Sequence, residues 1–273
     1  DIAKALDQKY IEDGGVGDRY LHCMPVLLKD NYDTVDFPST FCSFSMLGHQ
    51  AGVDAPFVDG LRKAGALILG KAHQDEFAYF TTGFSGRTAL VTNPYNTQES
   101  SAGSSSGSGA ALASNFAIGG TGSDTCQSIR HPSSVSGLVG IRPSIGVVSR
   151  KGIFPLSHIR DPGGQMTRYV RDSALMLTAM ARIDPVDDPD TTLFSAEARP
   201  DTYLRFLDRD VYGVKGKKIG VLRSLGGNST PAGTGEQGAL IDTAVAKMES
   251  MGAEVYDVFL PSFVNRGGGS THY

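Results

Sequence analysis

The sequence predicts an α/β fold, a sheet covered by helices, and two observations carry that prediction. Short apolar runs of β character alternate along the chain with segments of helical spacing. The 273 residues are 40% hydrophobic, enough to bury a sizeable core as one large domain or two smaller ones.

Taken in order, Asp1 to Tyr10 reads as a charged helix already in mid-pattern, without the apolar stretch of a signal peptide. Strands follow at Cys23 to Leu28 and Gly65 to Leu69, with a helix at Ala55 to Lys63 between them. The next predicted elements are a helix at Ala110 to Ser114, strands at Phe116 to Gly120 and Leu138 to Arg142, and a helix at Arg171 to Ala181. The acidic, proline-punctuated stretch from Asp184 to Asp201 reads as a surface connection. Beyond it, strands at Lys217 to Leu222 and Ala253 to Leu260 flank a helix at Gly238 to Met251. We read residues 1–273 as a single domain with its core over 21–183 and a truncated C-terminal part from about 211. Both ends read as incomplete.

Composition narrows the function. A net charge of -4, a pI near 5.9 and the lack of any basic stripe leave no footprint for nucleic acid. No apolar run approaches the roughly 20 residues of a membrane span. Three cysteines at irregular spacing argue against a disulfide scaffold and for a reducing, cytoplasmic setting. The six histidines are scattered without an HxxxH pair, and no glycine-rich turn leads into a P-loop lysine, so neither metal nor cofactor is expected.

The run from Glu99 to Ser134 places many hydroxyls on backbone that can turn sharply. A Ser/Gly linker would match its composition, but its alternation of turn, helix, strand and turn indicates folded structure. Gly103 to Gly107 matches the G-x-S-x-G elbow of a hydrolase, with Ser105 as nucleophile and His131, His158 or His272 as base. An elbow follows a buried strand, whereas NPYNTQESSA is polar and opens on a turn signal. Another kind of base is present at the strand exits, in Lys29 and Lys71, because burial disfavours an ammonium ion and leaves a neutral amine near pH 7. The ordinary role of such a lysine is to reach solvent or to pair with a neighbouring acid, here Asp30 or Asp75.

Together these segments carry a resemblance. CMPVLLKDNYDT, GKAHQDEFA, SAGSSSGSGAALA and GTGSDTCQSIRHPSSVSGLVGIRPSIGVVS occur in order between about Leu21 and Arg171 and resemble the amidase signature family. The resemblance implies a mixed, largely parallel central sheet with helices on both faces, and hydrolysis of an amide by a Ser-Ser-Lys triad. It places the general base on Lys29, the bridging serine on Ser104 after a cis Gly103–Ser104 bond, and the nucleophile on Ser128. Separations of 75 and 24 positions are common in the family. Lys71 lies in a segment the family does not use for its base.

The chemistry accounts for these residue types. A serine hydroxyl attacks well only if its proton is removed as it does so, and the resulting oxyanion needs preorganised donors. The resemblance supplies those donors from the backbone N–H groups of Thr125, Cys126, Gln127 and Ser128. Cys126 and Gln127 replace the usual Gly-Gly there, where a positive φ would be awkward for either. Asp124 and Arg130 are expected to brace the turn as an ion pair, and Ser105 and Ser106 to bond within theirs or to line the pocket. Phe41, Phe44, Phe154 and His158 line the cleft or pack in the core.

The expected substrate is a linear amide, with carbamates and esters presenting the same carbonyl, and a homodimer is the prior for assembly. Two alternatives stand beside this reading. One is the A subunit of a tRNA-dependent amidotransferase, and the other is a non-catalytic binding protein on a degenerate amidase fold.

Overall fold

The computed structural model describes residues 1–194, 199–222 and 235–258. The chain divides into two compact units, Asp1–Arg205 and Phe206–Tyr273.

The first unit opens with helix α1 (Ile2–Asp13), which ends on Gly14 in the left-handed region and buries none of its side chains. Strand β1 (Pro25–Lys29), helix α2 (Pro56–Lys63) and strand β2 (Leu67–Ala72) follow. Two small hairpins come next, β3 (Phe84–Ser85) with β4 (Ala89–Leu90) and β5 (Thr92–Asn93) with β6 (Asn96–Ser100). The remaining elements are α3 (Ser106–Ala113), β7 (Gly119–Ser123), α4 (Arg130–Val135), β8 (Val139–Ile141), β9 (Gly163–Thr167) and α5 (Val170–Met180).

Five strands form the central sheet in the order β2-β1-β7-β9-β8. β1 is parallel to β2 and β7, while β9 is antiparallel to both β7 and β8. Four strands therefore run one way and β9 alone runs against them, which makes the sheet mixed but largely parallel, as expected.

The apolar run of β1 is continuous because both of its faces are covered. Val26 and Leu28 join Phe57, Val58 and Leu61 of α2 and Met176, Leu177 and Met180 of α5 in one core cluster. Leu27 packs on the opposite face with Leu112 of α3, Ile129 and Met166. Side chains alternate along a strand, so Lys29 falls on the face of Leu27, towards α3. Its burial follows from this position in a central strand.

Several elements differ from the expectation for physical reasons. The strand expected from Phe116 begins at Gly119 instead, and the Phe116 ring is 72% exposed. That strand is buried throughout with hardly any apolar side chains, because the Ser104 turn and α3 lie close: a Cβ on Gly122 would stand 2.7 Å from Ser105 Oγ. The helix before it starts at Ser106 instead of Ala110, since its buried serines are held inside; Ser108 Oγ donates to the Thr121 carbonyl at 2.7 Å. β9, with sequence GGQMT, is a strand that carries no periodic signal in the sequence. The stretch after Asp184 is more than a surface connection: Asp188 is buried against Arg150, and Ser149 donates to Asp184 at 2.7 Å.

The second unit contains α6 (Arg209–Tyr212), whose first turn is capped by the Asp208 carboxylate. β10 (Lys218–Leu222) and β11 (Glu254–Val258) pair in parallel, with α7 (Gly235–Ser250) between them in sequence. Phe259 and Leu260 of the expected last strand, and His272, lie outside the described residues. Among the described residues no helix is long and apolar enough to cross a membrane.

Candidate active site

Lys29 ends β1 with no solvent exposure. Its Nζ donates to Ser104 Oγ at 2.7 Å, to Ser123 Oγ at 3.0 Å and to the Ser123 carbonyl at 3.4 Å. Desolvation lowers its pKa from 10.5 to about 7, although the charges of Asp75, Asp124 and Asp161 pull the other way. At neutral pH a large share of this amine is unprotonated, and its neighbours are hydroxyls.

Ser104 precedes α3, and the Gly103–Ser104 peptide bond is cis, as the resemblance implied. Glycine is required before it, because a Cβ on Gly103 would lie 2.3 Å from Asp75 Oδ1. The backbone N–H of Asp75 donates to the Ser104 carbonyl at 3.2 Å, and that of Ser105 donates to the Ser128 carbonyl at 3.2 Å. The second bond ties the Ser104 turn to the segment that carries Ser128. Ser106 Oγ bonds His73 Nδ1 at 2.8 Å within the fold. Ser105 Oγ is buried without a hydrogen-bond partner among the described residues, so the elbow reading has no base to activate it.

Ser128 is 5% exposed and lies in the turn between β7 and α4. Among the described residues, the backbone N–H groups of Thr125, Gln127 and Ser128 donate to no protein acceptor. Neither Cys126 nor Gln127 has a positive φ. The expected conflict with Gly-Gly therefore does not arise, because this turn is built in backbone regions open to any residue.

Asp124 organises the turn. Its carboxylate accepts from the Ile129 and Arg130 backbone N–H groups at 3.0 and 3.2 Å, and from the Arg130 guanidinium at 3.1 Å. Arg142 Nε lies 3.3 Å from it. Burial works to raise this carboxyl, but the Arg130 and backbone hydrogen bonds hold it below the usual carboxylate range. Arg130 also donates to the Cys126 carbonyl.

Lys71 faces different partners. Its Nζ donates to the Tyr32 carbonyl at 2.5 Å and to Ser39 Oγ at 2.8 Å, with Asp30 Oδ1 at 3.7 Å. It pins the loop that follows β1 and reaches neither serine turn.

The four residues expected in the cleft or core separate into pairs. Phe41 is buried, with its ring centroid 4.3 Å from that of Phe154, and Phe77 joins both. Phe154 N–H donates to the Asn31 carbonyl at 2.8 Å, and Asn31 Nδ2 donates to Ser123 Oγ at 3.0 Å. Those rings thus connect through Asn31 to a hydrogen-bond partner of Lys29, whereas Phe44 and His158 are exposed and outside the ring cluster. Sequence reasoning named Asp75 only as an ordinary ion-pair partner for a lysine and gave no site role to Ser123, Asp161 or Phe77, because each acts through tertiary proximity alone.

The site thus joins a buried amine bonded to one serine with a second serine on a turn whose Thr125, Gln127 and Ser128 amides donate to no acceptor among the described residues. The family described as Amidase matches residues 1–266. The chain belongs to the Amidase family. It is 35% identical over 260 residues to the A subunit of glutamyl-tRNA(Gln) amidotransferase from Carboxydothermus hydrogenoformans, covering 95% of this chain and 51% of that protein. Native peptide amidase from Stenotrophomonas maltophilia superposes with a TM-score of 0.84 at 37% identity, over 93% of this chain and 51% of the other. The corresponding amidotransferase A subunit from Thermotoga maritima gives 0.75 at 30% identity, over 87% and 50%. The chain spans about half the length of the curated relatives it matches.

Proposed function

We propose that this Amidase-family chain carries the reaction centre of an amide hydrolase with Ser128 as nucleophile, Ser104 as proton relay and Lys29 as general base. The observation that carries the reading is the fully buried Lys29 amine, 2.7 Å from Ser104 Oγ, with a pKa of about 7. A base poised near the working pH combines the right protonation state with useful driving force.

In the first step Ser128 Oγ forms a bond to the substrate carbonyl carbon, while its proton passes to Ser104 and the Ser104 proton passes to neutral Lys29. The carbonyl oxygen becomes an oxyanion facing the backbone N–H groups of the turn, including those of Thr125, Gln127 and Ser128. As the tetrahedral carbon expels the amine, the same relay returns a proton to the leaving nitrogen. Water then attacks the acyl-enzyme by the same route and releases the acid. Protonated Lys29 is tolerated in this buried setting because Asp75, Asp124 and Asp161 contribute compensating negative charge.

The substrate is a small molecule presenting an amide, with carbamates and esters within reach of the same chemistry. A second reading is supported by the similarity to amidotransferase A subunits, in which glutamine would be the amide and ammonia the product. One experiment separates these readings: turnover of a panel of amides, carbamates, esters and glutamine by wild type and Ser128→Ala. Amide turnover lost in the variant supports the first reading, and ammonia release from glutamine alone supports the second. Full turnover by Ser128→Ala would refute both.

A further inference from the structure

We propose that the Asp161 carboxylate and the Thr125 hydroxyl form a clamp that sets the position of the oxyanion-binding amides. This inference rests on the reading of Ser128 as nucleophile. Thr125 then has a side-chain task beyond its backbone donor, and Asp161 becomes a positioning residue.

Asp161 is 5% exposed and fully engaged. One oxygen accepts from Thr125 Oγ1 at 2.5 Å, and the other accepts from the backbone N–H groups of Leu156 and Ser157, each at 2.6 Å. The carboxylate therefore closes its own loop, Leu156 to Asp161, and reaches across to the turn that precedes Ser128. Hydrogen bonds from a hydroxyl to a carboxylate are short and roughly twice as strong as neutral ones.

The turn needs an external hold, since the amides that would receive the oxyanion cannot also be held by protein acceptors. Asp124 anchors its far side through Ile129 and Arg130. On the near side, Asp124 N–H donates to the Pro162 carbonyl at 3.2 Å, and Arg142 bridges the carbonyls of Asp124 and Arg160 at 3.0 Å each. These ties fix residue 124, one position before the first donor. The Thr125 hydroxyl carries the hold one residue further, into the donor stretch itself. Oxyanion donors act over a narrow range of about 2.7–3.1 Å, and a displacement of about 1 Å costs on the order of 100-fold in rate. A single side-chain tie at this position is enough to matter.

Asp161 and Ser157 also line a cavity with Ile153, Pro155 and His158. A group bound in that cavity would rest on the loop that carries the clamp.

The test uses the full chain and a fluorophosphonate, which forms an O–P bond at the reactive serine with loss of fluoride and places its phosphoryl oxygen where the oxyanion would lie. We expect Thr125→Val, an isosteric change, to lower the maximal inactivation rate by about 10- to 100-fold, with KI moved less than about threefold. Thr125→Ser, which restores the donor, should return to within about threefold of wild type. Asp161→Asn should slow inactivation and also move the acidic limb of its pH profile to lower pH, because the Asp161 charge raises the Lys29 pKa; Thr125→Val should leave that limb in place. Circular dichroism on each variant identifies loss of fold.

Labelling lost in Ser128→Ala together with near-wild-type rates for Thr125→Val would overturn the clamp and leave the nucleophile standing. A folded Thr125→Ser as slow as Thr125→Val would also overturn it. Unchanged labelling of Ser128→Ala would remove the nucleophile reading and the clamp with it.

Discussion

Replacing Lys29 by methionine separates the chemical use of a buried amine from its thermodynamic cost. The lysine is fully buried, and its pKa falls from 10.5 to about 7, equivalent to about 5 kcal/mol of preference for the neutral form. Because the folded value lies below the unfolded one, the unfolded chain holds the extra proton between about pH 7 and 10.5, and wild-type stability rises with pH across that window. Below pH 7 both states are protonated and the whole penalty is present. Methionine fills a similar volume and removes this dependence, but it deprives the Ser104 and Ser123 hydroxyls of a donor, at a cost of about 1–3 kcal/mol. Lys29→Met should therefore be more stable than wild type by about 2–4 kcal/mol at pH 6. Above pH 7 the advantage should shrink by up to about 1.4 kcal/mol per pH unit and vanish by about pH 9 to 10. Urea denaturation at pH 6, 7.5 and 9 measures it, alongside loss of turnover at every pH. An advantage of the same size at pH 6 and pH 9 would refute the assignment of a neutral, buried amine to Lys29.

Other outcomes follow from the same geometry. In wild type, turnover should rise with pH through about 7 as Lys29 loses its proton, and a pH–rate profile without that limb would argue against the base. Ser104→Ala should lower kcat by about 100-fold or more by interrupting the proton path, whereas Lys71→Met, which touches neither serine turn, should keep turnover within about tenfold of wild type. Asp124→Asn leaves Arg130 and Arg142 facing a neutral amide and should cost about 2–4 kcal/mol at pH 7. That difference should fade as pH falls through the lowered pKa of Asp124, a trend that thermal melts at pH 7 and below 4 would follow. Phe154→Ala should raise KM for aryl amides more than for acetamide, by about 5- to 10-fold for one lost ring contact.

The segments of this molecule are legible in its sequence, and their spatial relations largely are not. Lys29 and Lys71 both stand at the exit of an apolar strand, and the resemblance singles out Lys29, as it singles out Ser104 and Ser128 within their ordered motifs. Asp161, by contrast, sits in an undistinguished loop, and its contact with Thr125 spans 36 positions that no periodicity connects. β9 escapes notice for a related reason. Its GGQMT sequence has little strand propensity and is held in the sheet by pairing on both sides. Glycines cause the opposite error at Cys126 and Gln127, where the family pattern suggests a positive φ that the backbone does not adopt. Local rules locate the chemical groups, and tertiary contacts decide what each one touches.

The pairing of β1 with β7 has a consequence for how the centre is assembled. Val26 and Leu27 stand opposite Gly119 and Gly120, and the Lys29 backbone N–H closes on Thr121 Oγ1 at 2.9 Å. A slip of one residue would exchange the faces of the strand. The amine would then enter the cluster of Phe57 and Leu61, and Leu28 would turn towards the serines. The glycines of β7 supply no side chains to penalise that exchange, so the apolar alternation of β1 must set the phase. On the proposed mechanism, reactivity at Ser128 would be a readout of strand phase: a chain whose sheet formed out of step would keep its secondary structure and lose its base.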